Sequence, residues 1–134
     1  MMDRGFLFVN TAQDLLNGIG KRRLVTLEKG QKVSEALGLM NKYNIEIIPV
    51  LQGREPVGVI TQNGLFRKMI ENVSLQDATV QEVMEAPLKV IEPMTPIGKL
   101  GAMFNKENAA VLVKEEATGD YHILTQYDLL SKMM

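Results

Sequence analysis

Apolar and polar positions alternate along this chain in two periods. Val33, Ala36, Leu37 and Met40 recur at i, i+3, i+4 and i+7, the spacing of a helix with one apolar face. Ahead of them Arg23 to Leu27 reads as a short strand. Behind them Ile45 to Leu51 is a β-branched apolar run too short for a helix, and so a second strand. Gln52-Gly53-Arg54-Glu55 supplies turn chemistry, and Pro56 falls at a strand start, where a missing N–H is tolerated. Val57 to Thr61 is the next strand, and Leu65, Phe66, Met69 and Ile70 form the stripe of a second helix. The expected order is β-α-β-β-α.

The pattern then occurs again. Leu24-Val25-Thr26-Leu27-Glu28 is echoed by Leu88-Lys89-Val90-Ile91-Glu92, and Val59-Ile60-Thr61-Gln62 by Ile123-Leu124-Thr125-Gln126, each copy 64 positions after the first (24 to 88, 61 to 125). In the second copy Leu88 to Glu92 is the strand, and Pro96 suits a first helical position. Ile97, Leu100, Gly101 and Phe104 carry a helix face. Ala109 to Lys114 and Tyr121 to Thr125 are strands around a Glu-Glu-Ala-Thr-Gly-Asp loop, and Leu129, Leu130, Met133 and Met134 belong to the last helix.

The spacing divides the chain into an N-terminal linker segment over 1–20, repeat one over 21–72, an inter-repeat linker over 73–87 and repeat two over 88–134. Short helices are expected over Thr11 to Asn17 and around Val80, Val83 and Met84. Each repeat has too few strands to hide an apolar sheet face alone. The expected fold is therefore α/β (α+β), two β-α-β-β-α repeats packed sheet to sheet about a pseudo-twofold axis as one module.

Composition narrows the function. A chain of 134 residues can bury one real core, and a net charge of −1 gives no argument for nucleic acid or an anionic membrane. Without cysteine there is no disulfide, thiolate metal site or thiol nucleophile. No apolar run approaches a membrane span and the first residues lack a signal-peptide layout, so a cytoplasmic location is expected. The nine methionines fall mostly at helical core positions such as Met40, Met69 and Met103, where methionine fills irregular space.

Catalytic constellations are nearly absent. His122, the sole histidine, lies in a strand with no evident partner, and neither a glycine-rich phosphate loop nor a metal-ligand cluster occurs. Lys21-Arg22-Arg23 is either a solvated edge or a contact for a phosphate, a carboxylate or an acidic partner. The strongest candidate is Thr125-Gln126-Tyr127-Asp128, where a strand hands over to a helix. Threonine there caps the helix and Asp128 returns a hydrogen bond, which needs no ligand. The same spacing at Thr11/Asp14, Ser74/Asp77 and Thr79/Glu82 shows how common it is. Yet a carboxylate at the end of a repeat's last strand, beside the expected inter-repeat cleft, can also accept two hydrogen bonds from the vicinal hydroxyls of a ribose. Repeat one keeps the threonine, Thr61, but has Gly64 in place of the aspartate, so one ribose-gripping cleft is expected rather than two.

The doubled order, with Ile48-Pro49-Val50 in repeat one and Thr-x-x-Asp in repeat two, resembles a pair of cystathionine-β-synthase (CBS) domains over about residues 21–134. Asp3-Arg4-Gly5-Phe6-Leu7 and the uneven Thr-x-x-Asp pattern further resemble the C-terminal regulatory region of cystathionine β-synthases. The resemblance implies a non-catalytic regulatory module that binds S-adenosylmethionine, AMP or ATP and controls an attached catalytic domain. That domain would lie upstream and carry pyridoxal phosphate (PLP). By position Thr125 and Asp128 would hold the ribose and Ile123 and Tyr127 would flank the base. Ile45, Glu46, Ile47 and Ile48 would line the opposite wall. A homodimer is expected from apolar helix faces including Leu129, Leu130, Met133 and Met134. Some members of the family bind nothing and serve as dimerisation surfaces.

Overall fold

The computed structural model describes residues 9–20, 22, 24–105 and 109–133. The segment Asp3 to Leu7, Lys21, Arg23 and Met134 fall outside them. The chain divides into two compact units. Unit 1 joins residues 1–24 to 89–134, and unit 2 is the continuous stretch 25–88.

In unit 2, β1 (Leu27–Glu28) pairs in parallel with β2 (Ile47–Gln52), which pairs antiparallel with β3 (Glu55–Thr61). The expected strand from Arg23 shrinks to Leu27–Glu28 because only these residues meet a partner, Val50 and Leu51. Gly53, at φ 64°, takes the first corner of the two-residue β2–β3 turn, the left-handed position such turns reserve for glycine. Helices α2 (Val33–Tyr43) and α3 (Gln62–Glu71) complete the repeat. A 3-10 helix (Val73–Asp77) and the single turn α4 (Val80–Val83) follow. The unit's core gathers Leu27, Val33, Ala36, Met40, Ile48, Val50, Ile60, Leu65, Val80 and Val83. The short helix expected around Val80, Val83 and Met84 is α4, and Val80 and Val83 belong to the core of repeat one.

Unit 1 follows the same scheme. β4 (Val90–Ile91) pairs in parallel with β5 (Ala110–Lys114), which pairs antiparallel with β6 (Tyr121–Thr125). Helices α5 (Ile97–Met103) and α6 (Gln126–Met133) complete it. Pro96 stands one residue outside α5, as its N-cap, rather than at the first helical position. The short helix expected over Thr11 to Asn17 is α1 (Ala12–Ile19), and its Ala12 and Leu15 are fully buried in the unit 1 core. Ile91, Leu100, Phe104, Val111, Val113, Leu124 and Leu129 share that core.

Each unit docks a short helix, α1 in unit 1 and α4 in unit 2, onto the segment that opens its first repeat helix. In unit 1, Ala12 N–H donates to the Thr95 carbonyl at 2.9 Å, Gln13 N–H to Pro93 at 2.8 Å, and Ile97 N–H to Asn10 at 2.9 Å. In unit 2, Val80 N–H donates to Gln31 at 2.7 Å, Gln81 N–H to Lys29 at 3.1 Å, and Val33 N–H to Ala78 at 2.9 Å. A lysine near the end of each repeat fixes the far end of that helix: Lys132 Nζ donates to the Gly18 carbonyl, and Lys68 Nζ to that of Val83.

Both α1 and α4 start with a capping box. Backbone N–H groups of Asn10 and Thr11 hold the Asp14 carboxyl below its ordinary pKa, and the Thr79 N–H and hydroxyl do the same for Glu82. A depressed folded-state pKa contributes stability above the unfolded value and loses it as pH falls through the folded value. The two helix starts are therefore expected to fray at acid pH, below the ordinary carboxylate range. Amide exchange at Asn10, Thr11 and Thr79, corrected for its intrinsic pH dependence, should rise there while remaining flat from about pH 5 to 7.

Candidate functional site

At the β6–α6 junction the chain leaves an antiparallel ladder in which Ala110 faces Thr125, and enters a helix at Gln126. Thr125 Oγ1 accepts from the Asp128 N–H at 3.1 Å, and Asp128 Oδ2 accepts from the Thr125 N–H at 2.9 Å. This reciprocal pair satisfies two backbone donors that a helix start leaves open and sets the carboxylate at the positive helix end. Asp128 is 6% exposed and is the buried polar residue among the described residues.

Its main partner is Arg22. Nη1 donates to Asp128 Oδ1 at 3.1 Å and Nη2 to Oδ2 at 2.8 Å, a two-pronged, charge-assisted contact. Nη2 also donates to the Ile123 carbonyl at 2.9 Å. Both residues belong to unit 1. Of the basic run singled out in the sequence, Arg22 thus meets the chain's own carboxylate, while Lys21 and Arg23 lie outside the described residues.

The remaining expected site residues are spread over both units. Ile123 is half-buried on β6, and Tyr127, on the first turn of α6, is 73% exposed. In unit 2, Ile45 packs against the core, Glu46 is exposed with its carbonyl accepting from the Gln62 N–H at 2.9 Å, and Ile47 is half-buried opposite Thr61 in the ladder. Ile48 is fully enclosed in that core, so its side chain is committed to packing and not to lining a site. Leu129 needs a similar correction. It is a core residue, whereas Leu130, one helical step of about 100° away, is 56% exposed. Met134 lies outside the described residues. His122 Nε2 meets Glu115 Oε2 at 3.1 Å near the loop end of the β5–β6 hairpin, a half-buried pair.

Repeat one departs from expectation at the matching junction. Thr61 Oγ1 caps α3 by accepting from the Gly64 N–H at 3.0 Å, and it donates to Glu85 Oε1 at 3.3 Å. A carboxylate from residue 85 therefore occupies the place that an aspartate at 64 would fill, and a Cβ added at Gly64 would run into Glu85 Oε1 and Thr61 Oγ1. Glu85 is fixed by its backbone, which exchanges two hydrogen bonds with Val59 at 3.0 and 3.1 Å. Gly58 leaves room for this: a Cβ there would stand 2.9 Å from the Glu85 carbonyl oxygen and collide with Met84. Sequence reasoning missed Glu85 because it compared position with position. The available signal was the pair of glycines, Gly58 and Gly64, flanking Thr61.

Two three-stranded sheets with matching helices, each with a short helix docked at the start of its first repeat helix and each carrying a threonine-capped strand-to-helix junction, define a doubled α/β fold. The CBS domain family model matches residues 12–71, and the strand and helix order of that part occurs again in the second half. The structure is similar to the CBS-domain protein ATU1752 of Agrobacterium tumefaciens, with TM-score 0.80, 18% identity and coverage of 100% of this chain and 99% of that one. It is also similar to CBSX2 solved in complex with AMP, with TM-score 0.70, 18% identity and coverage of 92% and 95%. In sequence it is 31% identical over 77 residues to the uncharacterized protein MJ0450 of Methanocaldococcus jannaschii, spanning 58% of this chain and 39% of that relative. Among the described residues no helix is long and apolar enough to cross a membrane.

Proposed function

We propose that this chain is a non-catalytic regulatory module that binds an adenosyl ligand at the β6–α6 junction, with Asp128 accepting from the ribose hydroxyls and Thr125 fixing the helix end beneath them. The observation that carries the reading is the placement of Asp128. It is a carboxylate held by a capping pair at the positive end of a helix, next to the half-buried Ile123 and the exposed ring of Tyr127. The AMP complex of CBSX2, a protein of the same fold, supports the ligand class. AMP is accordingly the first candidate, and ATP and S-adenosylmethionine are the others. Attachment to a PLP-dependent cystathionine β-synthase rests on the resemblance of residues 3–7 and of the uneven Thr-x-x-Asp pattern alone. Regulation would require the ligand to prefer one arrangement of the parent protein by about 1–3 kcal/mol.

A thermal-shift panel with AMP, ATP, adenosine and S-adenosylmethionine tests this. A ligand at about 100 times its dissociation constant should add about 2.7 kcal/mol of stability. Asp128→Ala should remove the shift, and a shift that survives it unchanged would show that the ribose is held elsewhere.

A second reading has its own observation. The Asp128 oxygens are already used by Thr125 and Arg22, while Phe66 and Ile70 on α3 and Tyr127 and Leu130 on α6 are all more than half exposed. A dimerisation module without ligand would look like this. It predicts a dimer by light scattering together with no response to any of the four compounds.

A further inference from the structure

On the reading that Asp128 holds a ribose, we propose that Arg22 is the specificity-determining residue of that site: an internal plug that a nucleoside must displace alone and that a nucleotide displaces with the help of its phosphate. The directions in which a carboxylate receives two converging donors are limited, and a guanidinium fork uses the same pair of oxygens in the same plane as a vicinal diol would. Here Nη1 and Nη2 take Oδ1 and Oδ2, and the Thr125 N–H takes a second share of Oδ2. A diol and the fork therefore exclude one another.

The plug is built to be movable. Arg22 lies past the end of α1 (Ala12–Ile19) and is itself in neither helix nor strand, and its side chain is 43% exposed where that of Asp128 is 8% exposed. The fork can swing into solvent without unfolding an element. Its third contact, to the Ile123 carbonyl at 2.9 Å, keeps it against β6 next to the residue expected to flank the base. Once displaced, the guanidinium remains a fixed positive charge near the ligand. A nucleoside offers it nothing, so the full loss of the Asp128 contact falls on binding. A phosphate gives it a replacement partner of the same two-pronged kind. Arg22 thus discriminates by charge without contacting the ribose or the base.

Isothermal titration of the whole chain with adenosine and with AMP tests the plug, using the unmodified protein, Arg22→Ala, Arg22→Lys and Asp128→Asn. A plug closed about nine tenths of the time lowers apparent affinity about tenfold. Arg22→Ala should therefore bind adenosine about tenfold more tightly than the unmodified protein and lose most of the preference for AMP over adenosine. Arg22→Lys, which keeps the charge and loses the fork, should fall between them while retaining a preference for AMP. If adenosine affinity is unchanged in both Arg22 variants while Asp128→Asn abolishes binding, the plug is overturned and the ribose role of Asp128 stands. If Asp128→Asn leaves the affinities of the unmodified protein intact, or if neither compound binds the unmodified protein or Arg22→Ala, the underlying reading falls and the plug with it. Cooperative melting of each variant identifies any that is simply unfolded, and the two Arg22 substitutions serve as checks on one another.

Discussion

Leu15→Ala is expected to lower the unfolding free energy of this protein by about 2–5 kcal/mol, measured by urea denaturation monitored by circular dichroism. Leu15 is fully buried in the core it shares with Ala12, Leu100, Leu124 and Leu129, in a helix whose first amide donors go to Thr95 and Pro93. Truncating it removes buried methyl groups and leaves a cavity that cannot collapse easily, since the helix is held by backbone bonds at its start and by Lys132 at its end. Were residues 1–20 a linker, the same substitution would change stability by less than about 0.5 kcal/mol, as exposed sites do. The control is Gln13→Ala, on the same helix, where a half-buried side chain donates to the exposed Asn17; it should cost far less.

The second large effect is expected at Gly58. Gly58→Val should cost about 2–3 kcal/mol, from overpacking and from loss of the two hydrogen bonds between Val59 and Glu85. The collision partner that matters is the Glu85 carbonyl oxygen, 2.9 Å from the added Cβ, because it is backbone and is itself paired to Val59. The Met84 side chain, also in the way, is flexible and can retreat. Displacing residues 84–85 also withdraws the Glu85 carboxylate from Thr61. The check is twofold: a lower urea midpoint, and faster exchange at the Val59 and Glu85 amides. Exchange at Val111 and Val113 in unit 1 should be unaffected.

How much of the fold was legible in the sequence follows the physics of each element. The long helices α2 and α3 and strands β2, β3, β5 and β6 stand where periodicity put them, because each presents a sustained apolar face. Strands β1 and β4 are two residues long, too short for any pattern, and their limits come from partners rather than from their own side chains. The 3-10 helix over Val73–Asp77 has no apolar period to announce it. Thr125 and Asp128 were visible as a motif, but their meaning was not. The spacing shows that a threonine and a carboxylate meet across a helix start. It does not show that Arg22, 106 residues away, completes the set. Glu85 escaped for the same reason: its distance of 24 residues from Thr61 is bridged by a pairing with Val59 that no local pattern encodes.

The two units also become complete at different moments of synthesis. Unit 2 is drawn from the continuous stretch 25–88, so everything in its core is available once residue 88 has left the ribosome. Unit 1 needs α1, made before unit 2, and β4 to α6, made after it. A nascent chain therefore carries an amphipathic helix with Leu15 and Ile19 unsheltered while the whole of unit 2 is made and folds. That waiting segment has high contact order with its partners, the condition under which transient exposure and delayed closure go together.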